Sequence, residues 1–373
     1  MEEFVIKSLV TEDIESELEK IGFDIAYRAK ASDKYKYKTL KIFDMTLPQA
    51  NILKQTALSL GADCGVHREV ITSKVEKTDV ILGGSISQLK KICDKLKKQP
   101  FSMAKLAEQI LLEINVEKRQ TKLVGILNLT PDSFSDGGKY FNRENAIKHF
   151  YQLIEDGADI IDIGAESTRP NSKEVSAEEQ IERLKLIVSE FQKTNIPISI
   201  DTRSSKVAEF VLENGVSIIN DVSGFDYDSN LVEIVAKYDA SVIIQHSQGT
   251  PDNMQNKPQY NDVVEEIYLS LLKKKQYAES KGIKNIILDV GIGFGKTKEH
   301  NFELLNRITE FYSLNRPLMV GVSRKSLLGI SENNNDLKDS LSLALSYPLM
   351  LNGVDYLRVH NVRLHKILLD MVI

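Results

Sequence analysis

From residue 123 to the C-terminus, short β-branched runs alternate with longer segments of helical periodicity, and this alternation restricts the possible folds more than any other feature. The runs are LVGILNL (123–129), DIIDIG (159–164), IPISID (196–201), SIINDVS (217–223), SVIIQH (241–246), IILDVG (286–291), PLMVGVS (317–323) and YLRVH (356–360). Each is apolar nearly throughout, the pattern of strands buried on both faces of a parallel sheet. Between them lie helical patterns such as ENAIKHFYQLIEDG, SAEEQIERLKLIVSEFQ, SKVAEFVLENG, NDVVEEIYLSLLKKKQYAESKG and DSLSLALSYPLMLNG. Several close on a glycine, as helix C-termini do. Eight strand-plus-helix units over about 250 residues predict an α/β chain folded as a (β/α)8 TIM barrel in preference to an open doubly wound sheet.

Residues 1–115 follow a different pattern: YKYKTLKIFDM, the helical QANILKQTALSLGA, then TDVILGGS and the amphipathic SQLKKICDKLKKQ. They read as a small α/β N-terminal domain to which no motif assigns a role, with the barrel occupying 116–373. The segment PFSMAKLAEQILLEINVEKRQ reads as a helix and polar linker into the first barrel strand.

Composition narrows the setting. Hydrophobic residues at 42% and charged residues at 27% are ordinary for a soluble chain, and no apolar run approaches the roughly 20 residues that span a bilayer, so no membrane partner is expected. The N-terminal MEEFVIKSLVTEDIESELEK is acidic where a secretory signal is basic and has no apolar core. Cys64 and Cys93 lack disulfide-framework or metal-ligand spacing and read as idle thiols in a reducing cytoplasm. With 48 basic and 53 acidic residues the net charge is −5, so no nucleic-acid partner is expected, and an anionic ligand must find its positive charge locally.

The polar residues of the eight runs gather at their C-terminal ends: Asn128, Asp162, Asp201, Asn220, Asp221, Gln245, His246, Asp289, Ser323 to Lys325, Arg358 and His360. In a (β/α)8 barrel that rim carries the active site. Asp201, Asn220 and Asp289 supply two acceptor-only carboxylates and an amide, a set suited to a flat heterocycle with several N–H donors, although each residue type also caps helices and loops. GIGFGK (291–296) reads either as an anion cradle or as a tight loop presenting Phe294 for ring stacking. Arg324, Lys325 and Ser326 follow the seventh run and Arg358 ends the eighth, where barrels commonly hold phosphate. Thr168 and Arg169 lie on a loop closed by Pro170 after the second run. No nucleophile motif is present in the sequence, which suggests a substrate carrying its own leaving group, such as pyrophosphate held with Mg²⁺.

Taken in order, NLTPDSFSDGG (128–138), GAESTRP, ISIDT, INDVSG, LDVGIGFGK, SRKS and RVHNV closely resemble the dihydropteroate synthases of folate biosynthesis, from about residue 121 to the C-terminus. The resemblance implies a cytoplasmic, homodimeric barrel enzyme. It would condense 6-hydroxymethyl-7,8-dihydropterin pyrophosphate with p-aminobenzoate, yielding 7,8-dihydropteroate and pyrophosphate, and would be a sulfonamide target. Carried over by position, it makes Asp201, Asn220, Asp289, Lys325 and Phe294 pterin-binding residues. It makes Asn128 the Mg²⁺ and pyrophosphate residue, Arg358 and His360 the anion pair, and Thr168, Arg169 and Ser326 the p-aminobenzoate positions. Asp289 and Lys325 count with Asp136 as catalytic. The loop 128–138 would fold over bound pterin, and its Asp136 would stabilise the cationic methylene formed as pyrophosphate leaves.

The sequence departs from the family pattern at Ser247 (usually Met), Val290 (usually Pro) and Asn361 (usually Asp). Two rivals are a methyltetrahydrofolate-type methyltransferase barrel and a catalytically idle pterin-binding paralogue. The first has no use for a pyrophosphate site, and the second none for the loop aspartates and the anion pair together.

Overall fold

The computed structural model describes residues 5–9, 14–115, 119–129, 139–166, 174–249, 254, 256–330 and 334–372, with side chains in the helix after 139 described from 143. The chain divides into two compact units, Met1–Glu117 and Lys118–Ile373.

In the first unit, helices α1 (Ile14–Lys20) and α2 (Arg28–Ser32) precede β1 (Tyr37–Thr46), α3 (Leu47–Leu58), β2 (Asp63–Val66), β3 (Lys77–Ser85), α4 (Ile86–Leu96) and α5 (Met103–Ile114). The strands form an antiparallel sheet in the order β1-β3-β2. Val80 and Leu82 of β3 alternate with exposed Asp79 and Ile81, as a sheet with one covered face requires. The covered face packs with Leu53, Leu89, Ile92, Leu96, Met103 and Ala107 of α3 to α5. Ser85 opens α4 with a capping box to Gln88, a contribution of about 1 kcal/mol. Cys64 and Cys93 are both buried free thiols in this unit.

The second unit runs β4 (Lys122–Asn128), α6 (Lys139–Glu155), β5 (Ile160–Gly164), α7 (Ala177–Leu184), β6 (Ile198–Asp201), α8 (Ser205–Glu213), β7 (Ile218–Asp221), α9 (Leu231–Lys237), β8 (Ser241–Gln245), α10 (Val263–Ser280), β9 (Ile286–Asp289), α11 (Lys298–Asn306), β10 (Leu318–Val320), α12 (Asn335–Leu351), β11 (Tyr356–Val359) and α13 (Val362–Val372). Parallel pairing of each strand with the next closes β4 to β11 into a barrel, as the alternation predicts. Gly157, Gly215, Gly282 and Gly353 end helices at φ between +77° and +93°, a region costly for other residues. The segment 177–193 is interrupted: α7 stops at Leu184 and a 3-10 turn takes Val188–Lys193. β10 is shorter than PLMVGVS suggests, spanning Leu318–Val320.

Side chains on a strand alternate between faces, so each barrel strand sends every second residue inward. Outward-facing Leu123, Leu127, Ile161, Ile163, Ile200, Ile219, Val242, Ile244, Leu288 and Val320 join the helices in one apolar layer. Inward-facing Val124, Ile160, Ile218, Ile243, Ile287 and Met319, with Tyr356 packed against them, close the barrel floor. One inward step further along the strands lie Asp162, Asn220, Gln245, Asp289 and Arg358. The runs look apolar throughout because both faces are buried, and the polar inward residues therefore sit above a dry floor. Among the described residues, no helix is long and apolar enough to cross a membrane.

Candidate active site

The parallel register sets the first polar level. Asn128 pairs with Gly164, Gly164 with Asp201, and Asp201 with Asn220, so three polar strand ends stand beside one gap left by a glycine. A Cβ on Gly164 would come 3.3 Å from Asn128 Oδ1 and 3.8 Å from Cβ of Asp201, which explains the missing side chain. Across the barrel, Asp289 pairs with Gln245.

Asp162, Asp201, Asn220 and Asp289 are all at most 7% exposed. The Arg358 guanidinium lies among them, its Nε donating to Asp162 Oδ2 at 2.6 Å and an Nη to Asp201 Oδ2 at 3.0 Å. Asn220 donates its amide to the same Asp162 oxygen at 3.1 Å. The remaining oxygens, Asp162 Oδ1, Asp201 Oδ1 and Asn220 Oδ1, are buried without a hydrogen-bond partner among the described residues. Each unpaired acceptor costs roughly 1–3 kcal/mol, so such a group in one cup is the signature of a ligand that brings donors. Burial pushes the Asp201 carboxyl up to about 7; Arg358 opposes the shift, and Asp162 adds to it. Asp289 is likewise raised by burial, against the pull of Lys325, while its Oδ1 accepts from Gly291 N at 2.7 Å.

Lys325 reaches back over this cup. Its ammonium donates to Ile292 O and lies 4.8 Å from the centroid of Phe294. Burial lowers the amine to about 8, Asp289 opposing and Arg358 assisting. The GIGFGK loop thus places the Phe294 ring beside the Lys325 ammonium. Gly291 and Gly295 hold it against the segment after β8: a Cβ there would fall 1.8 Å from His246 O and 2.4 Å from Gln248 O. Lys296, 2% exposed, ties the two together, donating to Phe294 O at 2.9 Å with its Nζ 3.1 Å from His246 Nδ1. Val290 takes its place in the apolar outer layer.

The basic cluster after β10 is divided in function. Arg324 is engaged within the protein, in a two-point ion pair with Asp339 of α12 at 2.6 and 2.8 Å. Asn361 donates to Asp339 at 3.2 Å and caps α13 by accepting from Leu364 N at 3.0 Å. An aspartate at 361 would make the cap but not the donation, so the departure to Asn suits this neighbour. His360 is seated by Ser323, with Nδ1 3.0 Å from Oγ. Ser326 begins a 3-10 turn and is exposed.

The structure therefore brings Asn128, Asp201, Asn220, Asp289, Phe294, Lys325, Arg358 and His360 to one mouth of the barrel. Asp136, Thr168 and Arg169 lie outside the described residues. Glu166, which precedes Thr168 and Arg169 in sequence, accepts from Val175 N at 3.1 Å and from Arg203 at 3.0 Å, and Arg203 stacks 4.0 Å from the ring of Tyr227. Sequence reasoning put Asp162 on the rim but gave it no task; Glu166 and Lys296 fell inside quoted motifs without a role, and Arg203 and Asp339 were given none, because their partners Glu166 and Arg324 lie well away along the chain.

A dry-floored barrel with acceptors unpaired among the described residues, a cation and a ring at its C-terminal mouth is built to hold a flat ring that brings donors, and residues 124–360 match the pterin binding enzyme family, to which this chain belongs. A dihydropteroate synthase from Clostridium beijerinckii is 40% identical over 256 residues, 67% of this chain and 92% of that one. A bifunctional dihydropteroate synthase/dihydropteroate reductase from Helicobacter pylori is 34% identical over 368 residues, 97% of this chain and 96% of that one. The crystal structure of a Clostridium difficile dihydropteroate synthase, obtained in the presence of pteroic acid, is similar with a TM-score of 0.64 and 38% identity, covering 68% of this chain and 96% of that one. The function is that of a dihydropteroate synthase, a transferase of folate biosynthesis.

Proposed function

We propose that the cup of Asp201, Asn220 and Asp289 accepts hydrogen bonds from the amino and ring N–H groups of the pterin pyrophosphate, while Lys325 donates to the ring's carbonyl side and Phe294 flanks it. The observation that carries this is the pair of buried acceptors without partners among the described residues, Asp201 Oδ1 and Asn220 Oδ1, together with the Lys325 ammonium, on which Asp289 and Asp201 act electrostatically. Arg358 and His360 would meet the pyrophosphate. Thr168, Arg169 and Ser326 would receive p-aminobenzoate, with sulfonamides as competitors for that place.

The reaction breaks the bond from the pterin methylene to pyrophosphate, the electron pair leaving on pyrophosphate. The amine nitrogen of p-aminobenzoate then bonds to the methylene and gives up a proton. Asp136 would stabilise the cationic methylene between the two events, which is its catalytic role. Asn128 offers one amide oxygen, and among the described residues no cluster of three or more His, Cys, Asp or Glu could hold a metal. That donor set fits Mg²⁺ kept largely by substrate oxygens and water. Bound there, the ion would neutralise charge on the departing pyrophosphate.

Pyrophosphate release by the full chain, measured with Mg²⁺ and the pterin pyrophosphate, is expected to depend on p-aminobenzoate and to yield dihydropteroate. Tight pterin binding without condensation would transfer the reading to an idle paralogue.

A second activity is favoured by the extent of one match: the bifunctional relative aligns with 97% of this chain, N-terminal unit included, whereas the C. beijerinckii enzyme aligns with 67%. We infer that this chain also reduces dihydropteroate: a reduced nicotinamide or flavin donor gives a hydride to the carbon, and solvent a proton to the nitrogen, of the C=N bond left in the partly reduced pyrazine ring, and the donor is oxidised. Incubating the full chain with dihydropteroate and each donor should yield tetrahydropteroate with one of them; no product with either removes this reading. The two buried free thiols support a cytoplasmic setting. Exposed Leu337, Leu341, Tyr347 and Leu351 of α12, with Ile367 and Met371 of α13, support a homodimer.

A further inference from the structure

Asp162 is a fully buried carboxylate that the assigned roles leave without a task, yet two of the cup's members hang on it. It lies one inward step above Ile160 of the barrel floor and is 0% exposed. Its Oδ2 accepts from Arg358 Nε at 2.6 Å and from Asn220 Nδ2 at 3.1 Å, and its Oδ1 has no partner among the described residues.

The chemistry of an amide gives this contact its meaning. An asparagine side chain presents a donor on one side and an acceptor on the other, and a half-turn about its last bond exchanges them. A carboxylate accepts only, so Asn220 must turn Nδ2 toward Asp162, and Oδ1 remains as the acceptor offered to a ligand. Arg358 is fixed by the same oxygen. With Nε on Asp162 and an Nη on Asp201 Oδ2 at 3.0 Å, it engages one Asp201 oxygen and leaves Oδ1 open. One side chain thus determines that the cup shows acceptors at two neighbouring positions.

We propose that Asp162 is the positioning residue that makes this cup selective for a ring bearing an amino group rather than an oxo group at the position facing Asn220. The proposal rests on the pterin reading of the cup and extends it, since it says why an amide, which is indifferent by itself, discriminates here. Without Asp162 the Asn220 amide is free to turn and donate, and a 2-oxo ring then finds a partner where it met an acceptor before. A residue acting only as a packing element would weaken both rings alike.

Selectivity is therefore the quantity to measure. Full-length chain, Asp162→Ala and Asp162→Asn are titrated calorimetrically with 6-hydroxymethylpterin pyrophosphate and with its 2-oxo (lumazine) counterpart, and KM for p-aminobenzoate is determined on each. In the unaltered chain the amino ring should bind far more tightly. Asp162→Ala should shrink the ratio of the two affinities by about 10- to 100-fold, the worth of one buried acceptor left unmatched. Asp162→Asn, which keeps an oxygen for Arg358 or Asn220, should fall between, and KM for p-aminobenzoate should change little. Should Asp162→Ala fail to fold, the isosteric Asp162→Asn still carries the test, since any loss of the ratio in it supports the role and an unaltered ratio overturns it. Equal weakening of both rings in either variant also overturns the proposal. If the unaltered chain binds neither ring, the pterin reading itself falls, an outcome separate from a ratio that does not move.

Discussion

Asp201 and Lys325 bracket the working pH of the site from opposite sides. Asp201 serves a pterin N–H best as a carboxylate, and burial holds its folded pKa up near 7, so the acceptor is lost as pH falls through about 7. Lys325 must carry its proton to donate, and burial brings its amine down to about 8, so the donor is lost as pH rises through about 8. For the free enzyme, which kcat/KM reports, the expected profile is a narrow bell with limbs near these two values. Asp201→Asn should remove the acid limb while lowering kcat/KM throughout; an acid limb that persists in this variant would assign it to another group. None of these shifts is visible in the string ISIDT, because Asp201 is perturbed by burial and by Arg358, which lies 157 positions away.

At the scale of elements, the loop after β9 shows what a strand-end motif alone leaves open. GIGFGK has no spacing that distinguishes an anion cradle from a ring-presenting turn. The contact with the segment after β8 accounts for the first glycine, because Gly291 lies at φ +68° and has no room for a Cβ beside His246 O. Gly291→Ala is accordingly expected to lose about 2 to 5 kcal/mol, the sum of left-handed strain and overpacking. Calorimetric unfolding would measure it, and a loss below about 1 kcal/mol would mean the two loops yield easily. Existence and order of the barrel strands were legible in their apolar runs and glycine stops. The break after α7 and the brevity of β10 were not, since local periodicity continues through both.

For the molecule as a whole, α12 combines two duties that its sequence does not separate. Asp339 on one side receives Arg324 and Asn361, bracing the segment that bears Lys325, while Leu337, Leu341, Tyr347 and Leu351 are exposed. If those apolar side chains meet a second copy, light scattering should give twice the chain mass. Leu341→Glu should return it to the single-chain value without loss of helical signal, because Leu341 is 37% exposed and contributes little to the core. A single-chain mass for the unaltered protein would end the homodimer proposal.

The residue order by itself established the parallel barrel, the end of it that carries chemistry, and the family, because burial on both faces, helix stops and motif order are all local or linear properties. It could not assign tasks to Asp162, Lys296 or Asp339, nor show that Arg324 is an internal ion pair while Arg358 lies inside the cup. Those depend on which charges meet across the barrel, and the closing of eight strands brings together residues as far apart as Asp162 and Arg358, 196 positions in sequence and 2.6 Å in space.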